Sequence, residues 1–126
     1  MSSTVSGVPA LEVTNGGDAL PSGTLWDLGT AVERVPGPAQ DFLLRNTGTA
    51  RLRIQRVVFT TPGDFIIGAM PTLPLELAPR SAVSITLSFS PRTPGLRHMG
   101  VHITSDDPEH PQYVFTLMGQ CERRVR

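Results

Sequence analysis

The segment SAVSITLSFSP, Ser81–Pro91, decides the fold class of this chain. Apolar side chains recur at every second position from Val83 to Phe89, and small hydroxyl side chains fill the positions between them. A period of two is that of a strand with one buried face, and β-branched and aromatic residues favour it. The segment therefore predicts a β-strand that packs its apolar face against a second layer.

Four further segments alternate in the same way. In RLRIQRVVF the alternation slips at Gln55 and Arg56, which predicts a β-bulge, because a one-residue shift turns every following side chain to the other face. The 12 Gly and 12 Pro disfavour long helices. We therefore predict an all-β, antiparallel β-sandwich of about seven to nine strands. The inward positions of these four segments are Phe42 and Leu44; Leu52 and Ile54; Met99, Val101 and Ile103; and Tyr113, Phe115 and Leu117.

The length of 126 residues suits one domain, which we expect at residues 10–121, after a flexible N-terminal segment at 1–9 and before a basic tail at 122–126. The formal net charge is zero, which argues against nucleic acid and anionic membranes as partners. The first residues lack the basic region and apolar run of a signal peptide. The chain as written is thus expected to be cytoplasmic, unless it is part of a longer exported protein.

Several short motifs follow one another in a definite order. They are LWDLG, FLLRNTGTARLRI (Phe42–Ile54), LAPRS (Leu77–Ser81), ITLSFSPRTPG (Ile85–Gly95), ITSDDP (Ile103–Pro108) and FTLMGQ (Phe115–Gln120). Their order and spacing resemble the ASH or choice-of-anchor D domains, which are relatives of the major sperm protein and PapD-like sandwiches and are found in many bacterial proteins. The absence of Lys among the 11 basic residues also suggests a GC-rich, bacterial genome.

The resemblance implies an immunoglobulin-like antiparallel sandwich with binding and assembly roles rather than catalysis. It supplies no set of functional residues. Arg80 stands where the family usually has Gly, so the turn LAPRS is expected to lack a residue with positive φ.

The stretch SDDPEHP has two interpretations. Asp106, Asp107, Glu109 and His110 offer clustered oxygen and nitrogen atoms, which Ca²⁺ or a catalytic centre would use. The alternative is a turn in which Asp106 or Asp107 accepts hydrogen bonds from amides two residues further on. The turn explains every residue, and the spacing matches no EF-hand. We therefore predict a turn, with a weak Ca²⁺ site as the alternative.

Three other candidate residues are interpreted as structural. His98 and His102 lie four positions apart on one strand, on the order of 13 Å, too far to share one metal ion. Cys121 is predicted to be a dangling thiol after the last strand, and Trp26 to pack against the core. No metal or cofactor is expected.

A partner-binding surface is predicted from the apolar residues that face outward. Val114 and Met118 flank Thr116 on one face of the final strand, and Gly100 leaves a gap beside them on the neighbouring strand. The alternative is that the N-terminal segment, through Val5 and Val8, covers this strip. The residues proposed for the surface are Leu43, His98, His102, Val114, Thr116 and Met118.

These observations favour a non-enzymatic, immunoglobulin-like module that binds a protein partner within a larger assembly. One alternative is a self-associating subunit of a homo-oligomeric particle, such as a virion decoration or an injection apparatus. The other is a Ca²⁺-assisted carbohydrate-binding module.

Overall fold

The computed structural model describes residues 7–60 and 62–124. Within these ranges ten strands form two five-stranded sheets, and a single 3₁₀ turn lies at Pro62–Asp64. The strands are β1 (Leu11–Asn15), β2 (Asp18–Ala19), β3 (Leu25–Val32), β4 (Gln40–Asn46), β5 (Leu52–Thr60), β6 (Phe65–Ile67), β7 (Leu75–Leu77), β8 (Ala82–Phe89), β9 (Gly95–Ser105) and β10 (Gln112–Glu122).

The strand order is β2-β1-β4-β8-β6 in sheet one and β3-β10-β9-β5-β7 in sheet two. All neighbouring strands are antiparallel except β3 and β10, which pair in parallel. The predicted all-β sandwich is confirmed, but it has ten strands in the described residues and one parallel pair. Two strands were not anticipated. β2 arises because Gly16 and Gly17 form a tight hairpin turn with positive φ where the sequence indicated only a break, and β7 pairs with β5 just before the turn LAPRS.

The core lies between the sheets and contains the side chains predicted to face inward. Phe42 of sheet one and Phe115 of sheet two stack with their ring centroids 6.0 Å apart. The predicted bulge in β5 is confirmed, since the pairing of β5 with β9 shifts between Ile54 and Arg56. Trp26 is half-buried and packs against the core, as predicted. The fully buried large side chains are Val13, Leu20, Phe42, Leu44, Leu52, Ile54, Ile85, Leu87, Met99, Ile103, Phe115 and Leu117.

Gly119 allows the two sheets to approach each other near the end of β8. The ring of Phe89 in sheet one lies against the backbone of Gly119 in sheet two, and a Cβ atom on Gly119 would be 2.5 Å from a ring carbon. Phe65 packs against the same ring, with centroids 5.1 Å apart. The glycine of FTLMG therefore makes room for the phenylalanine of FSP, two motifs that are 30 positions apart in the chain.

The expectation for Arg80 is wrong. Arg80 itself adopts φ +72°, the left-handed conformation that glycine would take more easily. Its amide donates to the carbonyl of Asn46 at 2.8 Å, which holds the turn against β4. The cost of about 1–2 kcal/mol for a non-glycine residue in this conformation is offset by the surrounding contacts.

The interpretation of Cys121 as a dangling thiol is also wrong. β10 continues to Glu122, and Cys121 points into the core, where it is 1% exposed. Burial raises the pKa of the thiol, and the Glu33 carboxylate raises that pKa further. The inward alternation of Tyr113, Phe115 and Leu117 reaches this residue two positions after Gly119, and the sequence pattern already contained that signal.

We expect Gly119→Ala to destabilise the domain by about 1–3 kcal/mol, because the new methyl group collides with the Phe89 ring. Gly63→Ala is the matched control, since a Cβ atom there meets nothing within 4 Å. Urea unfolding of both variants measures the difference. Equal stability of Gly119→Ala and wild type would contradict the contact between Phe89 and Gly119.

Cys121 provides a second measurement of the same packing. Because burial raises its pKa, the thiol stays protonated at neutral pH and gains thiolate character only at higher pH. We expect the folded protein to react with DTNB about tenfold or more slowly than the unfolded chain. Cys121 is the single cysteine, so the signal is unambiguous. A fast reaction in native buffer would place the thiol at the surface.

Candidate functional site

Asp107 is a buried carboxylate that closes the turn between β9 and β10. Its side chain accepts hydrogen bonds from the amides of Glu109 at 2.9 Å and His110 at 3.3 Å, both on Oδ1. Oδ2 accepts the amide of Leu11 at 2.9 Å, so the same carboxylate reaches from sheet two to β1 of sheet one. Asp107 is 3% exposed. The prediction of a turn in which an aspartate accepts the amide two residues further on is confirmed for Asp107.

Asp106 is exposed and caps the edge of β5 instead. Its Oδ1 accepts the Arg53 amide at 2.8 Å, and its own amide donates to the Arg53 carbonyl at 3.1 Å.

The imidazole Nδ1 of His110 lies 3.8 Å from Oδ2 of Asp107, and the imidazole ring contacts the ring of Tyr113 edge-on. Burial raises the pKa of Tyr113, whose hydroxyl donates to the Leu20 carbonyl at 2.5 Å.

Asn46 is a structural residue that sequence reasoning missed. Its side chain is completely buried, and Nδ2 donates to the carbonyls of Ala50 at 2.8 Å and Leu77 at 2.9 Å. Its Oδ1 accepts the amides of Gly48 at 3.0 Å and Ala10 at 3.4 Å. The motif NTG signalled a turn, but nothing local to it shows that Asn46 also binds β7, 31 positions later.

At this end of the sandwich, the side chains of Asn46, Asp106 and Asp107 therefore hold separate backbone segments together. Within residues 7–60 and 62–124, no group of three or more His, Cys, Asp and Glu side chains is arranged to hold a metal ion. Independence of metal ions stays a prediction.

The predicted partner-binding residues other than Leu43 lie together on the outward face of sheet two. Register places His102 opposite Val114 and His98 opposite Met118, with Gly100 opposite Thr116 between them. We call the outward side chains of β10, β9 and β5 around His102 the sheet-two face.

Leu43 does not belong to this surface. It lies on β4, in sheet one, and its side chain points outward on the opposite side of the sandwich. The alternation identified its outward direction correctly. Which sheet contains β4 depends on strand pairing, which alternation does not encode, so grouping Leu43 with the other five residues was wrong.

β5 completes the sheet-two face and was missed as a contributor. Val58, which is 44% exposed, lies opposite His102 on the side away from Val114. A shallow cleft of about 290 Å³ lies over these strands. Continuing the alternation of RLRIQRVVF past its bulge would have identified Val58 as outward-facing. The cleft is lined by Arg56, Val58, Thr60, His102, Thr104 and Gln112.

Thr60 occupies the gap expected beside Gly100. Its Oγ1 accepts the Gly100 amide at 2.9 Å, and a Cβ atom on Gly100 would lie 2.7 Å from that oxygen. The space left by the glycine is thus taken by a hydroxyl of the neighbouring strand. The open cleft lies further along β9, beside His102.

The described part of the N-terminal segment follows another path. The Val8 carbonyl accepts the Thr49 amide at 2.9 Å, next to the turn between β4 and β5. A Cβ atom on Gly48 would lie 2.1 Å from the Val8 carbonyl oxygen, so the glycine of NTG lets this segment cross. Val5, the other residue proposed to cover the strip, lies outside the described residues, as do residues 1–4, 6, 61, 125 and 126.

Comparison with known proteins reveals similarity in fold. No family model and no curated protein sequence matches the chain. Residues 7–60 and 62–124 contain no helix long and apolar enough to cross a membrane.

Three solved structures illustrate the similarity in fold. A protein of unknown function from Porphyromonas gingivalis W83 has a TM-score of 0.64 and 17% identity over 90% of this chain and 46% of that chain. The ASH / PapD-like domain 7 of human CEP192 has a TM-score of 0.61 and 12% identity over 91% of this chain and 87% of that domain. A family 123 glycoside hydrolase from Clostridium perfringens has a TM-score of 0.64 and 11% identity over 92% of this chain and 28% of that enzyme.

The fold is therefore an immunoglobulin-like sandwich, similar to that of the ASH / PapD-like domain of CEP192. The chain spans about half of the Porphyromonas protein and under a third of the hydrolase. The TM-scores establish a shared fold, but sequence identities this low carry no information about function. The function is therefore argued from the surface of this chain.

We expect Asp107→Ala to destabilise the domain by about 1–3 kcal/mol, because buried amides lose their acceptor. The matched control is Glu109→Ala, which removes an exposed carboxylate from the same turn. EDTA should leave the melting temperature of wild type unchanged. A Ca²⁺ site at 100 times its Kd would instead add about 2.7 kcal/mol, and a melting temperature that rises with Ca²⁺ only while Asp107 is present would establish the metal site.

Proposed function

We propose that this domain is a non-catalytic interaction module of the ASH, choice-of-anchor D type, which binds a protein partner through the sheet-two face. The observation that carries the proposal is a row of side chains crossing three strands, Val58, His102 and Val114, in register. Outward positions of a solvated sheet are normally polar. Here two of the three are aliphatic, and Leu25, 56% exposed, extends the apolar surface onto β3.

The composition of this face indicates the chemistry of its partner. Arg56 and His102 line the cleft on either side of Val58, and no acidic side chain lines it. Elsewhere on this face, Asp27 on β3 lies opposite Met118. A complementary surface would present apolar side chains flanked by carboxylates, because opposite charges at the rim select the partner and its orientation. We therefore assign a protein surface of this kind as the ligand.

The rest of the molecule supports a role without catalysis. Asp106 and Asp107 are committed to backbone amides, and Cys121 is buried with a raised pKa, so neither carboxylate nor thiol is presented as a base or nucleophile. The shared fold is compatible with this role, since it occurs both in the CEP192 domain and within a much longer hydrolase.

Glutamate substitutions test the proposal. Val58→Glu and Met118→Glu should each reduce partner binding about tenfold or more, because a carboxylate is placed where carboxylates of the partner would dock. Binding is measured by quantitative affinity capture with each variant, followed by titration of the captured protein. Val58 is exposed and Met118 is partly exposed, and outward-facing substitutions usually change stability by under about 0.5 kcal/mol, so the melting temperatures should stay close to wild type.

Leu43→Glu is the matched control, because Leu43 is a 38% exposed aliphatic residue on the other sheet. It should bind the partner like wild type. Equal binding by all three variants would contradict the assignment to the sheet-two face. Sedimentation of the wild type distinguishes self-association from binding to a different protein. If a second copy of the chain is the partner, the wild type should sediment as an oligomer and Val58→Glu as a monomer.

A further inference from the structure

A second cleft lies at the end of the sandwich where β9 begins, remote from Asp107. Its volume is about 460 Å³, and it is lined by Arg34, Ser90, Pro91, Arg92 and Thr93. Arg34 comes from the connection between β3 and β4, and the other four residues form the turn between β8 and β9. The cleft shares no residue with the sheet-two face, so its function is independent of the one proposed above.

The backbone on the Arg34 side of the cleft is fixed. Arg34 adopts φ +63°, a conformation that costs a non-glycine residue about 1–2 kcal/mol. Its amide donates to the Pro91 carbonyl at 2.8 Å, and three residues later the Gly37 amide donates to Phe89 at 2.8 Å. A strained residue held by its surroundings is a common feature of ligand-binding sites.

The opposite side of the cleft is fixed by Arg97. Its guanidinium donates to the Thr93 hydroxyl and to the Pro94 carbonyl, the latter at 3.1 Å. The same guanidinium forms an ion pair with Asp64 at 3.7 Å between Nε and Oδ2. Arg97 therefore stabilises the turn by hydrogen bonds, and its positive charge is paired with the Asp64 carboxylate.

In the part of the chain that the structure describes, Arg34 and Arg92 differ from Arg97 in having no carboxylate partner, a property they share with Arg45 and Arg53. Across the described residues, neither guanidinium forms a hydrogen bond or an ion pair, whereas Arg51 and Arg97 are paired with carboxylates. No acidic side chain lines the cleft. The nearest acidic residue in sequence, Glu33, accepts the amide of Arg124 at 2.9 Å through Oε1. Two arginines without an ion-pair partner among the described residues and two residues with hydroxyl groups, Ser90 and Thr93, thus line one cleft on a chain whose net charge is zero.

We propose that this cleft binds a phosphate monoester. A guanidinium presents its N–H groups as a planar fork that matches two phosphate oxygens, and a phosphate monoester has three terminal oxygens to share between two such forks and a hydroxyl donor. A carboxylate has only two oxygens and satisfies one fork. The fixed backbone reduces the ordering needed on binding, which favours the ligand-bound arrangement.

Phosphate titration followed by amide NMR tests the site. Inorganic phosphate is added to ¹⁵N-labelled protein at constant ionic strength, with chloride as the comparison salt. We expect saturable shifts centred on the amides of Arg34, Arg92 and Thr93 that chloride does not reproduce. Shifts that do not saturate, or that chloride reproduces equally, would overturn the proposal.

Paired charge substitutions identify the residues responsible. Arg34→Gly with Arg92→Gln removes both guanidinium groups, and glycine retains the positive φ at position 34. This variant should bind phosphate about tenfold or more weakly. Arg45→Gln with Arg53→Gln makes the same change in charge near the other end and should bind like wild type. Unchanged binding by the first variant, or equal loss in both, would overturn the assignment.

The source of the phosphate is determined by comparing a phosphoserine peptide, a hexose phosphate and inorganic phosphate. If the peptide or the hexose phosphate binds more tightly than inorganic phosphate, the tighter of the two esters identifies the group that carries the phosphate. Equal affinities support recognition of the phosphate group alone. Failure of Val58→Glu to affect partner binding would leave this result untouched, because the two sites are separate.

Discussion

The backbone amides of Ala10 and Leu11 need hydrogen-bond acceptors where the chain enters the sandwich. The two side chains that accept these hydrogen bonds also connect the two sheets. Ala10 donates to the side chain of Asn46, and Leu11 to that of Asp107. Asn46 belongs to sheet one and reaches Leu77 of sheet two, while Asp107 follows β9 of sheet two and reaches β1 of sheet one. A buried polar group without a partner costs about 1–3 kcal/mol, which exceeds the net contribution of about 0.5–1.5 kcal/mol from a formed hydrogen bond. Both sheets are therefore held in one arrangement at this end.

The other end is organised by shape. Phe89 occupies the space above Gly119. The connection from β3 to β4 donates hydrogen bonds to the carbonyl of Phe89, at the end of β8, and to that of Pro91, in the turn after β8. Dense packing tolerates little change in volume, so this contact determines how closely the sheets approach. The turns at this end are exposed and carry Arg34 and Arg92. At the other end, the Asp107 side chain is buried and is used in hydrogen bonds to backbone amides. The two ends therefore expose different side chains.

The surface divides in a corresponding way. The sheet-two face presents aliphatic and basic side chains on a flat array of strands, a geometry suited to another protein. The Arg34 cleft presents charge and hydroxyls on turns that are anchored by backbone hydrogen bonds, a geometry suited to a small anion. Placing binding groups on loops supported by a rigid sandwich is common, because loops vary in sequence without disturbing the core.

Alternation in the sequence determined the strands β4, β5, β8, β9 and β10, their inward residues and the bulge in β5, because side-chain direction in a strand depends only on local geometry. The capping role of Asp107 toward Glu109 was local as well. Tertiary structure alone decided that Leu43 and Val114 lie on opposite sides, that β3 runs parallel to β10, and that Asn46 binds Leu77. It also brought Arg34 beside Arg92, 58 positions away in the chain. Each of these facts depends on which strands pair across long stretches of chain, and a period of two carries no information about pairing.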